Sequence, residues 1–225
     1  MNFAFADPLF RQAAHQVAGL ALRPGGLDLT RQALQLCNWP QGIFVIDVGC
    51  GAGATLGLLS ESGFKTKGFD LSPAMVREAA MNSGCPVEVA DAVKLPLQDS
   101  SVGAVVCECL LSILPEADSV LAEFYRVLVP GGGLLLADVT ADTPLAAALW
   151  LEKQGFAVLQ TLNHPKALKA LAAQLVWLGA KPEDFCCLEH RRASACNGAP
   201  SDYTPKGAGY YQWIACKPDK TRGRL

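Results

Sequence analysis

Charged residues make up only 18% of the 225-residue sequence, and it has just three histidines and three methionines. No apolar run approaches the roughly 18 consecutive residues of a membrane-spanning helix, so no membrane span is expected. Met1 to Phe10 has neither a basic flank ahead of its apolar residues nor a small-residue cleavage site, so it does not read as a secretory signal and a cytoplasmic location is expected. No C-x-x-C pair occurs among the nine cysteines at 37, 50, 85, 107, 109, 186, 187, 196 and 216. Their odd number and scatter argue against a disulfide framework and predict reduced thiols. A repeat of fixed period and a low-complexity tract are absent too, which excludes solenoid and array architectures.

What is there is apolar: hydrophobic residues are 51% of the chain, enough to bury a large core in one domain spanning 1–225. Net charge is −2, and it is unevenly spread. Residues 1–164 carry 9 Lys/Arg against 16 Asp/Glu, and residues 165–225 carry 10 against 5. Part of the second excess is the tail Lys217, Lys220, Arg222 and Arg224, read as a solvated basic tail; overall acidity argues against a nucleic-acid partner.

Hydrophobic periodicity and turn signals predict helices over Pro8 to Ala21 and from Asp28 or Leu29 to Leu36, separated by the turn Arg23-Pro24-Gly25-Gly26. A strand over Ile43 to Ile46 is predicted next, short and β-branched enough to be buried on both faces. Strand and helix then alternate, which predicts an α/β fold with a mostly parallel sheet and helices on both faces. Helices are expected over 54–62, Pro73 to Met81, Ala117 to Leu128 and Pro144 to Gln154. Strands are expected over Phe64 to Phe69, Val87 to Ala90, Ala104 to Cys107, Leu134 to Ala137, Phe156 to Leu162 and Tyr210 to Cys216. Ser72 is the expected N-cap before Pro73. An N-terminal helical cover over 1–40 and an inserted helical and loop lobe over 163–208 complete the expected organisation.

The sharpest chemical signal is Asp47-Val48-Gly49-Cys50-Gly51-Ala52-Gly53-Ala54, where a buried strand turns into a helix. Glycines there permit a tight turn and bring backbone amides close to a ligand beside a helix N-terminus. Gly49, Gly51 and Ala54 also fit the G-x-G-x-x-A of a nicotinamide-binding fold. Asp47 separates the two readings: a carboxylate at the mouth of the loop repels a diphosphate and suits a ligand that brings an ammonium group. No Lys or Arg lies between Arg31 and Lys65. Asp70, 23 residues after Asp47, is placed to accept hydrogen bonds from ribose hydroxyls in either case.

In these segments the chain resembles the class I S-adenosylmethionine-dependent methyltransferases, over roughly residues 20–140. Asp47, Gly49, Cys50, Gly51 and Gly53 look like that family's donor-binding loop, and Asp70 with Leu71 like its ribose-binding segment. Asp91-Ala92 looks like the pair that meets the adenine amino group, and Leu128-Val129-Pro130-Gly131-Gly132 like the turn before the fifth strand. The resemblance implies a Rossmann-like seven-stranded sheet with its last strand antiparallel, and S-adenosylmethionine as cofactor. It implies methyl transfer to a small-molecule acceptor, with S-adenosylhomocysteine as product. The run Arg23 to Thr30 is similar to that of small bacterial methyltransferases of unassigned substrate; this turn and the N-terminal helix are expected to close over the donor, with a plain helix-start turn as the alternative.

Acceptor-contacting residues are expected beyond the first, fourth and fifth strands, where open α/β sheets present ligands. Glu108, Cys109, Ser112 and Asp138 are candidates from those ends; Glu108 is assigned to the cofactor side, and His164 is added as a candidate base near the acceptor. A packing or capping role is the alternative for each. The same holds for Met75 as a cover for the adenine ring, and for Arg191-Arg192 as a carboxylate-binding pair. The chain lacks the Asn-Pro-Pro-aromatic motif of amino-group methyltransferases, which argues against nucleobase methylation.

Cys186, Cys187, Cys196 and His190 cluster in the lobe. Adjacent cysteines chelate one tetrahedral ion poorly, so no metal is expected; an arsenite acceptor bound by thiolates is the alternative they raise. The sequence also admits a nucleic-acid methyltransferase, a dinucleotide-dependent oxidoreductase or a non-catalytic donor-binding protein. Neither the acceptor nor the oligomeric state is legible here.

Overall fold

The structure is a computed structural model that describes residues 21, 23–140, 142–177 and 208–219. Except for Ala21, the predicted helix over Pro8 to Ala21 lies outside the described residues, as does the cysteine-rich part of the lobe.

Among the described residues six helices and seven strands follow one another: α1 Gly26–Cys37, β1 Phe44–Val48, α2 Ala54–Glu61, β2 Lys65–Asp70, α3 Pro73–Ser83, β3 Val87–Val89 and β4 Val102–Glu108. Then come α4 Ala117–Val127, β5 Leu128–Thr140, α5 Pro144–Lys153, β6 Ala157–Asn163, α6 Pro165–Trp177 and β7 Gly209–Cys216. The sheet order is β3-β2-β1-β4-β5-β7-β6. Pairing is parallel from β3 through β5, and β7 runs antiparallel to both β5 and β6. The α/β expectation with a reversed last strand is the observed fold.

Alternation along the buried strands divides the core between two faces. Ile46, Val48, Val105, Cys107, Leu134 and Leu136 point to one face with Val120, Leu121 and Phe124 of α4. The α4 residues recur at helical spacing, which is why this helix lies flat on the sheet. Val45, Ala104, Val106 and Leu135 point to the other face, against Ala33 and Leu34 of α1 and Leu58 and Leu59 of α2. Asp47 and Glu108 share the alternation of this second face, so two carboxylates lie among α1 and α2.

Ser72 caps α3 as expected, its hydroxyl accepting from the Met75 N–H, and Gly84 ends the helix in the left-handed conformation. The fifth strand departs from expectation. In place of a turn at Pro130-Gly131-Gly132 followed by a strand over Leu134 to Ala137, β5 runs unbroken from Leu128. Val102 pairs with Leu128 and Ala104 with Gly133, so the extra residues bulge out of the ladder. Gly131 N–H and Gly132 C=O also exchange hydrogen bonds with the backbone of Lys217, at 2.8 and 2.9 Å. Lys217 is no solvated tail residue: its ammonium donates to the carbonyls of Tyr125 and Leu128, at 2.8 and 2.7 Å, and caps the end of α4.

Candidate functional site

The glycine loop joins β1 to α2 and needs backbone conformations that side chains oppose. Gly49, Gly51 and Gly53 all have positive φ, at 74°, 50° and 86°. A Cβ on Gly53 would come within 2.8 Å of the backbone of Ala79 in α3, whereas a Cβ on Gly51 would meet open space. The loop is stitched to the end of β2. Gly49 and Cys50 donate to the Phe69 carbonyl at 2.8 and 3.1 Å, and Gly51 N–H donates to the Asp70 carboxylate at 3.0 Å. The other Asp70 oxygen accepts from Ser72 N–H at 2.9 Å. Cys50 turns inward, its Sγ closing the space over Gly68 of β2.

Beyond this loop opens a cleft of about 550 Å³. Gly49, Asp70, Leu71, Asp91, Ala92 and Cys109 line it, together with Leu110, Ile113 and Leu114. Leu71 and Ile113, 67% and 45% exposed, are the large apolar side chains that the cleft leaves open to solvent. Asp91 accepts from the Val93 N–H at 3.1 Å, so it also forms the local turn. Met75 is not among the cleft walls.

Asp47 lies outside those walls and is buried, with Oδ2 lacking any hydrogen-bond partner. Its pKa is pushed up to about 8, first by burial and then by Glu108, while Arg23 acts in the opposite direction. Glu108 is engaged from three sides. It receives the Arg23 guanidinium at 2.9 Å and the hydroxyls of Thr30 and Thr55, each at 2.7 Å. Arg23 also donates to both threonines, at 2.6 and 2.8 Å. The turn ahead of α1, α1 itself, the first turn of α2 and the end of β4 therefore meet in one buried polar cluster. Glu108, placed on the cofactor side by sequence, faces this cluster and does not line the cleft.

Asp138 spends its carboxylate on the backbone N–H groups of Ser112 and Val139, at 2.9 and 2.8 Å, and burial raises its pKa. That bond pins the short 3-10 turn Leu111–Ile113, and Ser112 is not a cleft wall. His164 sits ahead of α6, pairs through Nε2 with the Gln212 amide oxygen at 2.9 Å and packs by Tyr210; it is not itself a cleft wall. Cys109 has a positive φ of 55°, uncommon for a residue with a side chain. Its thiol is held protonated, chiefly by burial. Cys186, Cys187, Cys196, His190, Arg191 and Arg192 lie outside the described residues, and among the described ones no cluster of His, Cys, Asp or Glu could hold a metal ion.

Sequence reasoning passed over Thr30, Thr55, Tyr210 and Gln212. For Gln212 a signal existed: it is the one amide in the otherwise apolar and aromatic run Tyr210 to Cys216. Thr30 ends the singled-out run Arg23 to Thr30, though no role was attached to it, and for Thr55 there was no signal.

Residues 46–136 match the family model described as a methyltransferase domain. Methyltransferase GfsG of Streptomyces halstedii is 30% identical over 172 residues, covering 70% of this chain and 62% of that protein. The chain spans about half the length of the curated relatives it matches. Among solved structures, the cyclase SpnF superposes with a TM-score of 0.71 at 23% identity, over 93% of each chain. Phosphoethanolamine N-methyltransferase 2 of Haemonchus contortus, in complex with S-adenosyl-L-methionine, does so at 0.70 and 18% identity, over 92% of this chain and 56% of that one. With the glycine loop, the acidic end of the second strand and the reversed seventh strand in place, the domain match, the methyltransferase relative and these neighbours together support a class I S-adenosylmethionine-dependent methyltransferase.

Proposed function

We propose that the chain transfers the methyl group of S-adenosylmethionine to a small-molecule acceptor. One observation carries this reading: Asp47, next to last in β1 and beside the glycine loop, is buried with a carboxylate oxygen that nothing among the described residues satisfies. A buried acceptor of that kind calls for a ligand donor, and an ammonium group is the partner that suits a carboxylate best. Arg23, which reaches the first turn of the loop helix, has its charge met by Glu108 at 2.9 Å, which leaves little for a diphosphate. The dinucleotide-dependent alternative is weakened on both counts.

The cleft fits the rest of the donor. Asp70 uses one lone pair of each oxygen on the loop backbone and keeps others for ribose hydroxyls. Leu71 and Ile113 supply apolar walls for a purine, and Asp91 an acceptor for its amino group. When bound, the donor supplies a sulfonium whose methyl group is already activated. The protein's share is to orient the acceptor and exclude water, and orientation contributes up to about 7–11 kcal/mol.

A small-molecule acceptor and a cytoplasmic setting belong to this reading. No helix among the described residues is long and apolar enough to cross a membrane. Calorimetry with S-adenosylhomocysteine and with NAD tests the donor class: tighter binding of NAD refutes the reading. Turnover of labelled donor against phenols, carboxylates, thiols and arsenite separates a working enzyme from a non-catalytic donor-binding protein, which methylates none of them.

A further inference from the structure

Tyr210 and Gln212 stand two residues apart on β7, hence on the same face of the sheet, and both are completely buried. Among the described residues the Gln212 amide nitrogen has no hydrogen-bond partner, and the Tyr210 hydroxyl has none beyond the weak Cys109 thiol beside it. Buried polar groups are nearly always satisfied, so two under-satisfied donors side by side on one strand ask for a ligand. Their position agrees. Because β7 runs against β5, its first residues lie beside the carboxyl end of β5, with Tyr210 opposite Val139 and Gln212 opposite Ala137. That is the edge at which open α/β sheets hold ligands. Cys109 joins this wall to the donor cleft, since it lines the cleft and packs against the cluster of Ala137, Val139 and Tyr210.

Resting on the methyltransferase reading, we propose that Tyr210 and Gln212 form the acceptor subsite and hold a carbonyl or hydroxyl oxygen of an uncharged acceptor. The Gln212 amide oxygen already accepts from His164, so the wall offers N–H and O–H groups. The Tyr210 hydroxyl stays protonated, held so first by burial and then by Cys109 and Glu108. Among the described residues the cation nearest Tyr210, Arg23, is already met by Glu108 at 2.9 Å. A carboxylate or phosphate acceptor buried here would therefore lack a counter-charge. A protonated amine would meet donors where it needs acceptors. A neutral oxygen suits the donors and needs no counter-charge.

The test titrates protein saturated with S-adenosylhomocysteine with phenol, cyclohexanone, benzoate and benzylammonium, followed by calorimetry. Wild type is compared with Tyr210→Phe and Gln212→Leu. Tyr210→Phe keeps the ring and gives up only the weak contact of the hydroxyl with the Cys109 thiol, so it folds. At least one neutral probe binds about tenfold more tightly than either charged one, and each variant weakens that binding about fivefold while donor-product affinity stays within about twofold. Preference for a charged probe, no binding of either neutral probe, or unchanged binding in either variant overturns the proposal. Loss of S-adenosylhomocysteine affinity in Tyr210→Phe alone assigns the hydroxyl to the donor and also overturns it. A wild type that never binds S-adenosylhomocysteine rejects the methyltransferase reading itself.

Discussion

The Arg23 guanidinium meets the Glu108 carboxylate at 2.9 Å, with side chains only 9% and 5% exposed. Removing one partner strands the other as a buried charge, which costs about 3–5 kcal/mol. Glu108→Ala and Arg23→Ala are each expected to lose stability on that scale in urea titrations. The double variant is expected to lose clearly less than the two losses added together, and simple additivity would show that the pair acts independently.

Asp47 governs a pH dependence whose sign is fixed by its environment. Its pKa stands at about 8 in the folded protein, against an ordinary value of 3.8, because burial and Glu108 oppose its charge. Between those values the folded state keeps a proton that the unfolded chain releases, so stability from this group falls as pH rises from about 4 to 8. Asp47→Asn removes the effect. It is expected to be more stable than wild type by a margin that grows across that window, reaching the order of a few kcal/mol, since each unit is worth about 1.4 kcal/mol. A margin that stays flat with pH would contradict the assignment.

The same residue couples donor affinity to pH. An ammonium group beside Asp47 favours its ionised form, which the free protein holds only above about pH 8. Calorimetric affinity for S-adenosylhomocysteine is therefore expected to strengthen from pH 6 to 8, by up to about tenfold per unit, and Asp47→Asn to abolish the trend.

Gly51 and Gly53 separate ligand space from packing space. Gly53→Ala drives a Cβ to 2.8 Å from the Ala79 backbone at a φ of 86°, so a loss of about 2–3 kcal/mol in thermal or chemical denaturation is expected. Gly51→Ala has room for its methyl group and carries only the strain of its φ, about 1 kcal/mol. Its larger effect is expected on donor-product affinity.

Leu71 is exposed yet lines the cleft. Leu71→Ser is expected to leave stability within about 0.5 kcal/mol, as surface changes generally do. S-adenosylhomocysteine affinity is expected to fall about fivefold or more, by loss of apolar contact. Unchanged affinity would remove Leu71 from the donor site.

The donor half was legible because its chemistry is written in contiguous residues. Glycines that must take positive φ, an acidic residue at or next to the end of each of two strands and a Ser-Pro helix start each act within a few positions. The start of β5 was not legible, since proline and two glycines read as a turn wherever their partners are unknown. Pairing of Leu128 with Val102 and of Gly131 and Gly132 with Lys217 turned that segment into strand. Glu108 was recognised as a site residue, but the partners that occupy it come from a turn and two helices remote in sequence.

Strand and helix alternation, the glycine loop, Asp70 and the Ser72 cap follow from the amino-acid sequence, because periodicity and local hydrogen bonding act over short stretches of chain. Tertiary structure alone decided that Glu108 would be spent on Arg23, Thr30 and Thr55, that Asp138 would hold backbone, and that Tyr210 and Gln212 would stand buried with donors to spare. Those outcomes depend on which groups from distant segments desolvate one another, and a carboxylate or hydroxyl carries no mark of its future neighbours.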